Sequence, residues 1–301
     1  MIGGLVFLAG AALLVGGYLA LGPLIRRLVT YSIAREGRVP VPADWRGVIE
    51  RRVPGLGILT DAQRDRLLDA VRDLLSTRHW EACGGLALTT EMQLTIAAQA
   101  CLLTLELPGD PYPRLKAILI YPSTFVPGHS VDMRKWMHAS VAEPALPELG
   151  EAWPTGTVVI AWDAALDGGA NPSDGRNVVI HEFAHLIDFQ YGLTHGDPDL
   201  TGLLHSSNEP IPAPDIPGGQ TWRRMLAESF ERHCGDVERR VPTVLDRYAA
   251  TNEAEFFAVS TEVFFEQPAK LRAAYPQLYD HLSRLFRQDP AGRDRAEKGF
   301  H

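Results

Sequence analysis

The apolar and polar positions along this chain first follow the spacing of amphipathic helices. Apolar residues recur every three to four positions between Thr60 and Thr77, and the hydroxyl of Thr60 can cap the first turn. A second helix should begin at Thr89 or Thr90, with a small and apolar face on which Cys101 is a packing residue. Both patterns indicate helices that pack against a protein core.

Short apolar runs predict strands between the helices. Residues 115–121 and 156–162 suit buried strands, and residues 85–88 form a shorter candidate. Residues 163–174 are rich in glycine, aspartate and alanine and are predicted to be a surface loop, and residues 43–45 a turn. Because helices and strands do not alternate regularly, the pattern favours the α+β class.

A further predicted helix, residues 177–189, is apolar on most sides but carries a polar stripe. Its start signal is Ser173 or Asp174 and its stop signal is Gly192. The stripe consists of three residues at positions i, i+4 and i+7, which share one helix face: His181, His185 and Asp188. Buried ionisable groups are costly unless they are paired or bind a metal ion, so this face predicts a metal site.

The two histidines belong to an HExxH pattern in which Glu182 follows the first of them. Imidazoles on adjacent helical turns can reach one Zn²⁺, and the glutamate can hold a water molecule beside it. Catalytic zinc usually takes three protein ligands and leaves one position for water. The metzincin pattern requires Gly at 188 and His at 191, and Asp188 and Tyr191 exclude it. A downstream glutamate is therefore the alternative for the third ligand.

Four downstream glutamates are candidates for this third ligand. Glu209 lies among prolines, and Glu228 lies in a segment typical of a surface helix. Glu255 is better placed, because a helix beginning near residues 251–252 would be apolar except for an acidic stripe formed by Glu255 and Glu262.

Other polar side chains near the histidine pair have more than one interpretation. A ligating imidazole usually donates its second N–H to a carboxylate; Asp188 and Glu262 are the candidate acceptors, with a preference for Asp188, and either can serve structural hydrogen bonds instead. His195 and His205 lie in a proline-rich stretch and are more typical of exposed loop histidines than of ligands. Residues 158–161 could pair with a substrate backbone as an edge strand, or they could form an interior strand.

Two stretches together resemble the zinc peptidases related to Mlc titration factor A. They are HEFAHLID at residues 181–188 and YAATNEAEFFAVSTEVFFE at residues 248–266. The likeness runs from about residue 46 to residue 290 and includes TIAAQACLL and LKAILIYPSTFV upstream. It implies a zincin-like fold similar to the catalytic domain of anthrax lethal factor, one Zn²⁺ per chain, and a metallopeptidase activity that favours amino-terminal residues.

The resemblance also assigns roles to individual residues. It makes His181, His185 and Glu255 the metal ligands. Glu182 becomes the catalytic base, which takes a proton from water and passes it to the leaving amine. The tyrosine seven residues before the third ligand is Tyr248, whose hydroxyl would stabilise the oxyanion. The best-known family member is soluble and binds a transcriptional repressor, and this partner is not carried over because the N terminus differs.

The first 25 residues carry no charge and are followed by Arg26 and Arg27. This stretch is long enough to cross a bilayer as a helix, and its many glycines are commoner in membrane helices than in soluble ones. A cleaved signal peptide is the alternative, but such peptides normally begin with positive charge. Because the basic residues follow the span, the positive-inside rule predicts a single-pass inner-membrane protein whose catalytic domain lies in the cytoplasm.

The predicted organisation has four parts: an anchor at residues 1–25, a linker at 26–45, a zincin-like peptidase domain at 46–290 and a polar tail at 291–301. A net charge of −8 over 301 residues gives no reason to expect nucleic acid binding. Three cysteines without a CxxC pair indicate reduced thiols. The chain is therefore predicted to hydrolyse a peptide or protein substrate. The alternative is a membrane-tethered regulatory protein that sequesters a transcription factor or another partner on a zincin scaffold, and Glu182 favours the enzyme.

Overall fold

Helices predominate in the part of the chain that the computed structural model describes, which comprises residues 43–107, 109–110, 112–123, 156–194 and 219–293. In chain order they are α1 (Ala43–Arg52), α2 (Asp61–Thr77), α3 (Thr90–Leu103), α4 (Trp162–Ala170), α5 (Val178–Tyr191), α6 (Gly219–Glu238), α7 (Glu253–Glu266), α8 (Pro268–Ala274) and α9 (Pro276–Phe286). Two 3-10 turns occupy Pro54–Ile58 and Arg247–Ala250. Every described residue belongs to one compact unit that begins at Ala43.

A small parallel sheet joins these helices. Its strands lie in the order β1 (His79–Ala82), β2 (Ala117–Tyr121) and β3 (Thr157–Ala161). Helix α3 connects β1 to β2, which is the kind of crossover that parallel strands require. The strands predicted at residues 115–121 and 156–162 are confirmed, and so is the mixture of helices and strands.

The strand predicted at residues 85–88 is wrong. Gly84 and Gly85 have φ angles of +63° and +85° and form a turn there. The strand lies just before this turn, at β1, where only Trp80 of the four residues is buried. A strand this short, with one buried position, has too little alternation to be recognised in the sequence.

The loop predicted at residues 163–174 is wrong for residues 163–170, which belong to helix α4, and is confirmed for residues 171–174. A Cβ atom at Gly169 would lie 2.8 Å from the carbonyl oxygen of Arg52, so glycine allows α4 to approach the end of α1 closely. The side chain of Gln99 donates a hydrogen bond of 3.2 Å to the carbonyl of Ala165. Glycine disfavours helix locally, and here packing overrides that preference. The turn predicted at residues 43–45 is likewise wrong, because these residues begin α1.

Capping side chains set the ends of the predicted helices. Thr60 forms a capping box with Gln63 at the start of α2, and Thr89 caps α3, as predicted. Helix α5 begins later than its predicted start signals, because the side chain of Asn177 accepts the N–H of Ile180 at 3.0 Å. Its predicted end is confirmed at Gly192, which is left-handed at φ +59°.

The centre of the core lies between α5 and α7, the two helices that carry the candidate site residues. The apolar residues of both are largely buried, among them Phe183 of α5 and Phe256 and Phe257 of α7. Helix α3 packs against α5 and contributes the buried Cys101, in the packing role predicted for it. All three cysteines are free thiols. A shared apolar interface therefore fixes α5 against α7.

Some predicted segments cannot be compared with the structure. In the part of the chain that is described, no helix is long and apolar enough to cross a membrane. The anchor predicted at residues 1–25 lies outside the described residues, as do His195, His205, Glu209 and the end of the predicted tail. These assignments stay predictions.

The residue just before β3 provides a test of the fold. Gly156 has a φ of +82°, and a Cβ atom there would lie 2.0 Å from the backbone oxygen of Arg114. We expect Gly156→Ala to lower the free energy of unfolding by at least about 3 kcal/mol, measured by urea denaturation. Gly85 is the matched control, since its φ is also positive but a Cβ atom would meet nothing within 4 Å. Gly85→Ala should cost only about 1–2 kcal/mol, and equal losses for both variants would contradict the predicted clash.

Candidate metal centre

Helices α5 and α7 bring together two imidazoles and one carboxylate that are far apart in the sequence. The Nε2 atom of His181 lies 3.0 Å from Oε2 of Glu255 and 3.2 Å from Nε2 of His185. The Nε2 atom of His185 lies 3.5 Å from the same Glu255 oxygen. These three residues form a group that could hold a metal ion, and they are the three ligands predicted from the sequence.

The spacing of the three atoms fits a tetrahedral metal site. Bonds of about 2.0–2.1 Å from a central ion to nitrogen and oxygen place neighbouring ligand atoms about 3.3 Å apart. The observed separations of 3.0, 3.2 and 3.5 Å lie on either side of this value. Two neutral nitrogen ligands and one carboxylate are also a donor set that binds divalent transition metals. The residues present therefore fit a metal ion.

The Glu262 carboxylate orients the first histidine. Its Oε1 atom lies 2.7 Å from Nδ1 of His181, and its Oε2 atom accepts the backbone N–H of Asn177 at 2.5 Å. Because a carboxylate only accepts, Nδ1 of His181 carries the proton and Nε2 faces Glu255. Of the two predicted acceptors, Glu262 is the one that meets His181. Asp188, the preferred candidate, accepts hydrogen bonds from the backbone and the hydroxyl of Thr194.

The electrostatics of the site couple the imidazoles to the carboxylates. Burial lowers the pKa of His181, but the charges of Glu262 and Glu255 and their hydrogen bonds outweigh it and hold this pKa well above its ordinary value. Burial raises the pKa of Glu255, but the hydrogen bonds and charges of His181 and His185 lower it below the ordinary range. The site therefore holds an anionic carboxylate against an imidazole that binds a proton strongly, and a cation bound there would take the place of that proton.

The role of Glu262 can be tested by replacing it with glutamine. The amide can accept from only one of the two donors, His181 Nδ1–H or Asn177 N–H, because its NH₂ group faces the other. We expect Glu262→Gln to weaken metal affinity about 10- to 100-fold, measured by competition with a chromogenic chelator. Glu253→Gln is the matched control in the first turn of α7, since Glu253 lies outside the ligand group. Equal affinities for the two variants would remove Glu262 from this role.

Glu182 lies beside the ligand group and has an unsatisfied carboxylate oxygen. The residue is 2 % exposed, and its Oε1 atom has no hydrogen-bond partner among the described residues. Burial raises the pKa of Glu182 to about 8; the nearby His181 lowers it, and Glu255 and Glu262 raise it further. A buried, unpartnered acceptor next to the ligand group is suited to hold a water molecule and to accept its proton.

Tyr248 reaches the ligand group from the 3-10 turn Arg247–Ala250. Its ring centroid lies 6.2 Å from that of His181, and its phenol hydrogen-bonds the Glu255 carboxylate. Burial raises the pKa of Tyr248, and the charge of Glu255 and this hydrogen bond raise it further, above the ordinary range. The phenol is therefore protonated at neutral pH and can donate a hydrogen bond.

The remaining candidates differ in what the structure shows of them. Glu228 is exposed on α6 and forms an ion pair with Arg224, which agrees with the surface helix predicted for it. Sequence reasoning missed Asn177, which caps α5 and gives its backbone N–H to Glu262. The signal for it was an asparagine directly before the apolar run of the helix.

Comparisons with known proteins identify relatives of the whole described domain. The chain is 34% identical over 252 residues to the uncharacterized protein slr2042 of Synechocystis, covering 83% of this chain and 86% of that protein. It is 31% identical over 255 residues to Mlc titration factor A of Serratia proteamaculans, covering 83% and 89%, and 28% identical over 268 residues to Mlc titration factor A of Yersinia pestis, covering 86% and 90%. The profile of the glucose-regulated metallo-peptidase M90 family matches residues 29–287. The chain therefore belongs to the glucose-regulated metallo-peptidase M90 family.

Proposed function

We propose that this protein is a zinc-dependent peptidase that hydrolyses peptide bonds in a peptide or protein substrate. The observation that carries the proposal is the convergence of His181, His185 and Glu255 at ligand spacing, with one carboxylate oxygen of Glu182 left without a hydrogen-bond partner among the described residues. Membership of a metallopeptidase family supports the reaction class. Zinc fits best because two imidazoles and a carboxylate are a ligand set of catalytic zinc sites.

The chain's own residues divide the chemistry among them. A bound zinc ion would supply Lewis acidity and make water a better nucleophile near neutral pH. Glu182 would accept the proton of the attacking water and pass it to the leaving amine. The Tyr248 hydroxyl would donate a hydrogen bond to the negative charge that develops on the carbonyl oxygen. Glu262 would keep the His181 ring in the tautomer whose Nε2 is free to ligate.

The candidate metal centre is more open to solvent at His185 than at the other two candidate ligands. The His185 side chain is 14% exposed, whereas those of His181 and Glu255 are 5% and 2% exposed. We therefore propose that water and substrate reach the centre past His185.

Strand β3 is an edge strand of the sheet formed by the described residues, and its last four side chains are buried. Pairing of residues 158–161 with a substrate backbone stays a prediction.

The second candidate function is a regulatory binding protein built on the same scaffold. The observation that favours it is the name of two relatives, Mlc titration factor A, which describes the titration of another protein. The charge-free stretch at residues 1–25 supports a membrane tether for either function, with the catalytic domain in the cytoplasm. The Glu182 carboxylate favours the enzyme, because a protein that only binds a partner has no need of it.

A peptide-library digest separates the two functions. The protein lacking residues 1–25 is loaded with one zinc per chain and incubated with the library, with and without a chelator. A peptidase produces cleavage that disappears with the chelator and returns with added zinc, and stepwise removal of amino-terminal residues would support the aminopeptidase preference. Absence of cleavage at full zinc occupancy would overturn the enzyme and leave the binding protein.

A further inference from the structure

The side chain and the carbonyl of Asp246 connect the turn that carries Tyr248 to two other parts of the fold. Oδ1 of Asp246 accepts the backbone N–H of Tyr248 at 3.0 Å and so caps the 3-10 turn Arg247–Ala250. Oδ2 accepts from the guanidinium of Arg176 at 2.6 Å. The backbone carbonyl of Asp246 lies 3.1 Å from Nε2 of His233, a fully buried residue of α6. Asp246 therefore contacts the turn itself, α6 and the segment that leads into α5.

The segment that leads into α5 is itself fixed to α7. Glu266 accepts the backbone N–H groups of Gly175 and Arg176 at 2.9 and 3.0 Å. Glu262 accepts the backbone N–H of Asn177, one residue further on, and also orients His181. Through Arg176, Asp246 is thus tied to the same backbone that places the first metal ligand.

The contacts of Asp246 differ in strength. The Arg176 and Asp246 side chains are 72% and 40% exposed, and an ion pair this open to solvent contributes little. The cap joins Asp246 directly to the residue that carries the phenol, and side-chain caps of this kind set the backbone of a short turn. The hydrogen bond from His233 fixes the position of Asp246 from the buried side. The cap is therefore the contact that matters most for the direction of the Tyr248 side chain.

We propose that Asp246 is a positioning residue that holds the Tyr248 phenol against Glu255 and beside the metal centre. The Tyr248 ring is only half-buried, so its own packing does not fix it completely. Once the cap is lost, the turn can rotate and the phenol can leave the site. The catalytic part of this inference rests on the proposed peptidase function, whereas the position of the phenol can be measured without any activity.

The first experiment measures the position of the phenol in metal-free protein. The full-length chain is labelled with 3-fluorotyrosine, and the ¹⁹F resonance of residue 248 is assigned as the one of eight that is missing from Tyr248→Phe. In Asp246→Ala we expect this resonance to move to the shift of free fluorotyrosine. In Asp246→Asn it should stay in place, because the amide oxygen can still cap the turn. Asp236→Ala is the matched control, since Asp236 forms ion pairs with Arg232 on α6 and with Arg239 just after it, outside the turn. An unmoved resonance in Asp246→Ala would overturn the proposal.

The second experiment measures whether Asp246 acts through Tyr248. In the zinc-loaded enzyme we expect Asp246→Ala to lower kcat about 10-fold with KM changed less than about twofold, and Asp246→Asn to restore most of the activity. In the Tyr248→Phe background, Asp246→Ala should lower kcat no further, because the two changes remove the same interaction. An equal loss in both backgrounds would show that Asp246 acts by another route and would overturn the proposal.

The two experiments separate failure of this proposal from failure of the proposed function. A wild-type protein that holds one zinc per chain but cleaves no peptide would reject the peptidase, and the ¹⁹F result would still decide whether Asp246 positions Tyr248. Cleavage by wild type together with an unmoved resonance would reject Asp246 alone. Thermal denaturation of each variant identifies any that is unfolded. If Asp246→Ala is unfolded, Asp246→Asn tests the proposal in its place. This variant keeps the cap and loses the charge, so its ¹⁹F resonance should stay at the wild-type shift.

Discussion

Glu182→Gln should lower kcat for peptide hydrolysis by about 10²- to 10⁴-fold while the protein keeps one metal ion per chain. General base catalysis by a positioned carboxylate contributes about 10²- to 10⁴-fold, and an amide cannot accept the proton of the attacking water. Glu182 does not belong to the group of three ligands, so metal binding should survive the change. The measurements are kcat with a peptide substrate and metal content by elemental analysis of the same preparation.

The control for Glu182→Gln is Glu228→Gln, the same chemical change at an exposed position on α6. It should leave both kcat and metal content at wild-type values. If Glu182→Gln turned over the peptide at the wild-type rate, Glu182 would not be the base. If it lost its metal as well, the loss of activity would say nothing about proton transfer, and Glu182 would have to be counted among the groups that hold the ion.

The parts of the site predicted from the sequence share one physical property, which is a polar group at a position that the surrounding residues bury. On α5 the two histidines interrupt an otherwise apolar helix, and on α7 Glu255 and Glu262 do the same. A buried charge needs a partner, so each helix indicates that its polar face meets another polar group. On the residue pattern alone, four glutamates are candidates for the third ligand. In the structure, Oε2 of Glu255 lies 3.0 Å from Nε2 of His181, and Oε1 of Glu262 lies 2.7 Å from Nδ1 of the same ring.

The parts that sequence reasoning missed depend on packing between distant segments. Helix α4 contains two adjacent glycines, and their low helix propensity favours a loop. Their place in a helix is explained by the close approach of α4 to α1, which leaves no room for a Cβ atom at Gly169. Strand β1 has a single buried side chain, so the sequence pattern predicts a strand at residues 85–88, six residues after the position of β1 in the structure. The contact between Glu262 and His181 could not be predicted from spacing, because the two residues lie on different helices and only the crossing of α5 and α7 brings them together. Asp188 lies on the same helix as His181 and about 10 Å further along it, which is too far for a hydrogen bond between them.

The same crossing makes metal binding a property of the folded state, and Glu255→Gln should remove most of it. A free zinc concentration about 1,000 times the Kd of the native chain adds about 4 kcal/mol to the free energy of unfolding. For a domain of this size, that raises Tm by roughly 10 °C. The amide is a far weaker ligand than the carboxylate, so we expect Glu255→Gln to lose at least about 10³-fold in affinity and nearly all of this shift. Differential scanning fluorimetry with and without zinc measures it.

The matched control is Glu253→Gln, two residues earlier in the first turn of α7 and outside the ligand group. It should keep the full zinc-dependent shift in Tm. The shift in wild type should also be larger at about pH 8 than at about pH 6, because the charges and hydrogen bonds of Glu262 and Glu255 hold the pKa of His181 well above its ordinary value, and the stability gained from that bound proton is lost as pH rises through it. Zinc competes with this proton, so its affinity rises over the same interval. A Glu255→Gln protein that kept the wild-type shift at both pH values would show that the carboxylate is not a ligand, and the convergence of α5 and α7 would then need another explanation.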